Sequence, residues 1–302
     1  MRSHQSGSDR FSIEWASSAG KDAKEQIGKL EHEERVVTTT PGVNVAELDD
    51  KVMRMYRDVA TNPGGTFHFE MGRGLAERLD YPAAILDQIP LGAVESFAGV
   101  GYHFDFADLH SGDQVADLGS GSGMDAFFAA IKVGSEGSVS GVDMTDEQLA
   151  KANRLRDERG LSTVTFVKGR IEEMPFPDSS FDCVVSNGVI NLSARKADVF
   201  REAWRVLRPG GRLALSDIVT ERQLSEQIVC NTDLWASCIG GAAQVDDYRG
   251  AVEEAGFHIT DIRENAEYRF LSDQAQGATA TYGVKSVSLI AERPRGLDRL
   301  RV

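Results

Sequence analysis

Residues 114–143 read QVADLGSGSGMDAFFAAIKVGSEGSVSGVD. A short apolar run, QVADL, ends in a glycine-rich turn. MDAFFAAIKV follows, with helical composition and a glycine stop at Gly134. SVSGVD is a second short strand pattern. Strand, turn, helix and strand in 30 residues predict a βαβ unit, and hence a parallel sheet. Glycines at 119, 121 and 123 suit a chain that turns tightly and brings its backbone close to a ligand. The helix after them offers free N–H groups and the positive end of its dipole.

Outward from this unit the alternation continues. A helix is expected over 145–160, with Thr145 as N-cap and Gly160 as terminator. Strands follow at 164–169 and 181–188, a helix at 194–211 with a Pro-Gly-Gly exit, and a strand at 212–218. A helical insertion is expected at about 221–244, a helix at 245–257, and strands at 258–264 and 286–291. The expected fold is α/β: a Rossmann-like, doubly wound, mostly parallel sheet with helices on both faces. Upstream, Val52, Met55 and Val59 share one face of a helix starting near Val45 and stopped by NPGG at 62–65. Shorter helices are expected near 71–79 and 82–88. The domain reading is a polar N-terminal arm (1–44) with a short helix near 21–35, a helical cap (45–101), a core (102–293) and a tail (294–302).

The chain has 302 residues, 41% of them hydrophobic, a formal net charge of −14 and a pI near 4.9. An acidic surface repels a phosphate backbone, which argues against nucleic acid and for a small-molecule partner. No apolar run reaches the roughly 18 residues of a membrane span. The first ten residues lack a secretory apolar core. Three cysteines, at 183, 230 and 238, do not make a disulfide framework, and a cytoplasmic setting is expected.

The glycine pattern separates two kinds of cofactor. The dinucleotide fingerprint is G-x-G-x-x-G, and its third glycine would fall on Met124. The chain instead reads G-x-G-x-G behind Asp117. That form suits a cofactor with a zwitterionic amino-acid tail, which Asp117 helps to orient. Asp143 ends the next strand, where a carboxylate accepts ribose hydroxyls.

DLGSGSG, GVDMT, PFPDSSFD and VLRPGGRLALSD together resemble class I S-adenosylmethionine-dependent methyltransferases, over about residues 114–217 and extending towards 291. The resemblance implies S-adenosyl-L-methionine as cofactor, with Gly119, Ser120, Gly121 and Gly123 against its amino-acid part. It implies Asp143 on the ribose, Met144 beside the adenine, and Arg170 and Ile171 at the adenine edge. Many relatives carry Asp where this chain has Arg170. Tyr102 precedes the core where relatives close over the cofactor. Asn187, at the end of a strand, is placed for cofactor or acceptor, or else caps a turn.

SNGVINLS (186–193), LWASCIGGA (234–242) and GVDMT resemble the arsenite methyltransferase branch more narrowly. That branch holds trivalent arsenic on cysteine thiolates. Its S-N-C-V-I-N-L motif has a cysteine where this chain has Gly188, and no cysteine precedes Cys183 here. Only Cys238 matches. Cys183, five residues before the strand end and so about 16 Å from it, is expected to face the core. Cys230 and Cys238, if on one helix, stand about 12 Å apart and cannot chelate one ion together.

FHFE (67–70) and YHFD (102–105) each set a histidine among aromatics, two positions before an acid. His68 or His103 could act as a base on an acceptor proton, or both could simply pack the cap. No metal site is assigned. Trp235, Cys238 and Tyr248, with the room left at Gly188, form a candidate acceptor wall; helix packing is the other reading of Trp235. The first expectation is methyl transfer to an organic S, O, N or C acceptor. The alternatives are arsenite methylation using Cys238, and a non-catalytic cofactor-binding regulator.

Overall fold

The structure is a computed structural model, and it describes residues 43–231, 234–235, 239–271 and 273–296. Nearly all of the expected N-terminal arm, the end of the tail, and Cys238 lie outside the described residues.

Four helices precede the sheet: α1 (Val45–Thr61), α2 (Arg73–Arg78), α3 (Ala83–Leu86) and α4 (Leu91–Glu95), with α5 (Phe104–Ala107) leading into it. Asn44 caps α1 by accepting the Glu47 N–H, and Leu48, Val52 and Val59 form its buried stripe. The alternating core runs β1 (Gln114–Leu118), α6 (Met124–Val133), β2 (Ser138–Asp143), α7 (Asp146–Arg159), β3 (Val164–Lys168), β4 (Phe181–Asn187), α8 (Lys196–Val206) and β5 (Leu207–Thr220). After it come α9 (Glu226–Val229), β6 (Ala243–Gln244), α10 (Val245–Glu254), β7 (His258–Glu264), α11 (Asp273–Tyr282) and β8 (Lys285–Glu292).

The strands lie in the order β3-β2-β1-β4-β5-β8-β7, with β6 on the end of β5. All pairings are parallel except those of β8 with β5 and β7. One apolar cluster packs α4, α6 and α7 on one face of the sheet. A second packs α8 and α10 on the other. The expected doubly wound, mostly parallel architecture is therefore the one observed. The chain leaves β1 for β2 and β3, then returns to start β4 on the other side of β1. The crevice beyond the carboxyl ends of β1 and β4 is thus the topological switch point, where such sheets bind ligands.

Several elements differ from the sequence reading, among them the short α4 and α5, which it did not assign. The helix expected to 211 ends at Val206, and Leu207–Gly211 belongs to β5, with Gly210 at φ +85° and a register shift against β4. Phe181 pairs with Leu207, and Gly210 donates its N–H to the Arg293 carbonyl, so long-range pairing holds the irregular Pro-Gly-Gly stretch within the sheet. Helix α11 was not anticipated. Thr145 occupies the N-cap position of α7 but makes no side-chain cap; its own N–H goes to Asp143 Oδ1 at 2.8 Å.

Candidate cofactor site

An open cleft occupies the switch point. Its atom-free space is about 1060 Å³ including solvent at the mouth, and it is walled by the glycine turn, the ends of β2 and β4, and residues of α1. All three turn glycines have left-handed φ: +65° at Gly119, +52° at Gly121 and +94° at Gly123. Two of them also have no room for a side chain. A Cβ on Gly119 would meet Val189 at 2.5 Å, and one on Gly123 would meet Phe166 at 2.6 Å. Gly121 has space, with Gln148 the nearest atom at 3.7 Å, so backbone conformation alone calls for glycine there.

Asp143 shapes this turn. Its Oδ2 accepts the Gly121 N–H at 2.9 Å while Oδ1 holds Thr145. Asp117 is buried, and its Oδ2 has no protein partner. Burial, then the like charges of Asp125 and Asp143, push its carboxyl well above the usual range. Ser120 Oγ is likewise buried and unpartnered. An unsatisfied carboxylate and hydroxyl beside a left-handed glycine turn fit a ligand that brings a cationic or hydrogen-donating group. The ammonium of a zwitterionic amino acid is such a group.

Asp117, Gly119, Ser120, Gly121, Asp143, Met144, Arg170, Ile171 and Asn187 all line the cleft. Gly123 closes the turn as the N-cap of α6. Arg170 does not stand free in the wall. It forks onto Asp49 of α1, with contacts of 3.0 and 3.1 Å, and its Nε lies 3.4 Å from Glu172. Asn187 has a large structural role. Its Oδ1 accepts Val100 N–H at 2.7 Å and Gly101 N–H at 3.3 Å. Its Nδ2 donates to Tyr81 Oη, the Gly101 carbonyl and Asp125 Oδ2, at 2.9–3.1 Å.

The other candidates stand apart from the cleft wall. Tyr102 packs its ring against Tyr81 and Phe128. His103 is fully buried, its Nδ1 3.4 Å from Ser216 Oγ, and burial pushes its pKa down to about 3. That ring is neutral and enclosed, so the core-packing reading fits it. His68 stands edge-on to Phe69, and the acids of the two motifs are engaged by Arg78 and Arg263. Trp235 is buried, donating to the Val229 carbonyl under Lys196 Nζ, 4.6 Å from its ring. Tyr248 is buried and donates to Asp217 at 2.8 Å. Gly188 has φ +71°, and its missing Cβ points at Val100 Cγ1, 3.1 Å away, so the room expected there is filled. Cys183 is fully buried, its thiol pushed up to about 12, as an inert core residue would be. Cys230 is exposed. No cluster of three or more His, Cys, Asp or Glu side chains suited to a metal occurs among the described residues.

Sequence reasoning missed Asp125, Tyr81 and Asp49. Asp125 lines the cleft from the first turn of α6; Tyr81 Oη donates to it at 2.7 Å and Asn187 at 2.9 Å. Its place two residues after the last turn glycine was the available signal. Tyr81 and Asp49 carried none, because their partners lie 44 and 121 positions away.

A doubly wound sheet with a left-handed glycine turn, a buried acid with an unpartnered oxygen before it and Asp143 at the end of β2 has the form of a nucleoside-binding crevice. The comparisons agree. The family described as "Methyltransferase domain" matches residues 109–256. An arsenite methyltransferase of Halobacterium salinarum is 39% identical over 211 residues, 70% of this chain and 54% of that protein. One from Aquipseudomonas alcaligenes is 47% identical over 156 residues, covering 49% and 45%. The solved arsenic(III) S-adenosylmethionine methyltransferase of Chlamydomonas reinhardtii is 31% identical, with 74% of each chain covered and a TM-score of 0.55. The chain spans about half the length of the curated relatives it matches. It belongs to the class I S-adenosylmethionine-dependent methyltransferases and resembles their arsenite branch; S-adenosylmethionine is the cofactor of this family.

Proposed function

We propose that this chain transfers the methyl group of S-adenosylmethionine to trivalent arsenic presented as a thiol complex. The observation that carries the acceptor is that relatives at 31–47% identity are named for arsenite or arsenic(III). This reverses the order of the sequence expectation, which put an organic acceptor first.

Bound S-adenosylmethionine supplies an electrophilic methyl group on a sulfonium. Asp117, Ser120 and the glycine turn hold its amino-acid end, and Asp143 its ribose. Asn187 keeps the loop at Val100–Gly101 closed against the cleft. Orientation and exclusion of water are the chain's main contributions to such a displacement. An arsenic lone pair needs no proton removed, which accords with a described cleft wall that holds no histidine. No cysteine lines that described wall either. Cys238, the cysteine shared with the arsenite branch in the sequence resemblance, is the thiol proposed for arsenic, and small thiol cosubstrates complete its coordination.

An organic acceptor is the second reading, favoured by Gly188, whose side-chain direction is taken by an apolar valine. Turnover with arsenite and glutathione, followed by arsenic speciation, separates the two. Methylated arsenic, lost in Cys238→Ser, supports the first. Unmethylated arsenic alongside turnover on an organic panel overturns it. Failure to bind S-adenosylhomocysteine at all would remove both.

A further inference from the structure

The wall of the cleft beyond Met144 is made by an ion pair between elements far apart in sequence. Asp49 comes from α1, Arg170 follows β3, and both line the cleft with Ile171. Arg170 Nη1 and Nη2 meet the two Asp49 oxygens at 3.0 and 3.1 Å. The side chains are about a third exposed, at 36% and 26%, so the pair faces the opening rather than the core.

A purine amine directed at this wall needs an acceptor. Arginine has five donors and no acceptor. Glu172, the neighbouring carboxylate at this wall, has only 6% of its side chain exposed and is turned towards Ser193, Arg170 and Arg195 rather than the opening. Asp49 gives one lone pair of each oxygen to Arg170. A carboxylate offers about four acceptor sites, so each oxygen retains one. The helix that carries it is fixed over the cleft. Tyr56 accepts Gln148 Nε2 through its carbonyl at 2.8 Å, and Arg57 pairs with Glu147 at 2.8 Å. Both partners lie on α7, which starts three residues after the ribose-type acid Asp143.

We infer that Asp49 is the base-recognition carboxylate of the cofactor site, accepting the exocyclic amine of the adenine, with Arg170 as the positioning residue that holds it. The inference rests on S-adenosylmethionine as cofactor. It makes the helical segment before the core a working part of the cofactor site.

The test compares binding of S-adenosylhomocysteine and its deaminated counterpart, S-inosylhomocysteine, by calorimetry on the full chain. Deamination replaces the amine by a carbonyl, which a carboxylate repels and an amide can meet. The wild type is expected to prefer the adenosyl ligand by about tenfold or more, and Asp49→Asn to lose that preference through weaker adenosyl and unchanged or stronger inosyl binding. Arg170→Met, which leaves Asp49 unclamped, is expected to weaken both ligands and to lower the preference only in part. Thermal melts of each variant report folding, and Asp50→Asn, one residue along on the exposed Arg54 pair, controls for charge on the helix. Equal losses for the two ligands in Asp49→Asn, or an unchanged ratio, would overturn the assignment. A wild type that binds neither ligand would instead remove the cofactor reading beneath it.

Discussion

Tyr81, just before α3, donates its hydroxyl to Asp125 at 2.7 Å, across 44 residues of sequence, and the two side chains are buried together. The second Asp125 oxygen takes Asn187 from the end of β4. One carboxylate therefore ties the helices before the core, the glycine-turn helix and the switch-point strand. Burial raises its pKa to about 6, against hydrogen bonds from Tyr81 and Asn187 that lower it. Between the unfolded value near 4 and about 6, the native state holds a proton that the unfolded chain has lost, so this group's contribution to stability falls as pH rises through that window. Two pKa units correspond to about 3 kcal/mol. The unfolding free energy of wild type minus Asp125→Asn, measured by urea titration, is expected to drop by roughly that amount between about pH 4 and pH 7. A flat difference would show that Asp125 ionises normally in the folded protein.

His103 works in the opposite direction. Its folded pKa, near 3, lies below the usual 6.5 because the ring is buried. From about pH 6.5 down to 3 the unfolded chain binds a proton that the native state refuses, so stability falls as pH falls through that range. His103→Gln is expected to flatten the acid limb of the stability curve. The shift bounds the effect at about 5 kcal/mol. The ring carbons of His103 should show no titration by NMR between about pH 5 and pH 8, and the variant should leave the pH profile of methyl transfer in place. A shifted profile would restore this histidine as a base.

What was legible in the sequence was local. The glycine turn, the strand-end acid at 143 and the alternation of strand and helix are each written within a few residues, and the observed β1, α6 and β2 lie where 114–143 puts them. What was hidden depends on tertiary partners. Leu207–Gly211 joins the sheet because Phe181 and Arg293 pair with it. His103 was a candidate base from its place in YHFD, and Tyr248 a candidate for the acceptor wall, yet packing encloses both. Asp49 is an ordinary helix acid until Arg170 meets it. The glycine turn and the strand-end acid were readable residue by residue; the Asp49–Arg170 pair across the cleft wall was not.

The cysteines should separate by chemistry. Cys183 sits at the centre of the sheet with its thiol pushed up to about 12, mainly by burial, whereas Cys230 is exposed at the end of α9. The thiolate is the reactive form. Brief native alkylation followed by peptide mass mapping is expected to label Cys230 and leave Cys183 untouched until denaturant is added. Cys183→Ala should keep cofactor affinity and any arsenic methylation within about twofold, while costing stability through the cavity it leaves. Native labelling of Cys183 would mean that the sheet opens locally far more readily than its packing indicates.

Gly188 bears most directly on the acceptor. Introducing a cysteine there, as in the arsenite-branch motif that residues 186–193 resemble, meets two obstacles in this chain. The backbone has φ +71°, which costs a non-glycine residue about 1–2 kcal/mol, and the new Cβ lies 3.1 Å from Val100 Cγ1. Gly188→Cys alone is expected to lower the melting temperature by roughly 3–8 °C. Val100→Ala in the same chain removes the crowding but not the backbone strain, so the double variant should recover only part of that loss. Isothermal titration with a trivalent arsenical then reads the chemistry independently of turnover. If arsenic is held by the chain's thiols, the added cysteine should tighten binding when Val100 is trimmed and do little when it is not. Equal arsenical affinity in all three proteins would place the acceptor away from the end of β4.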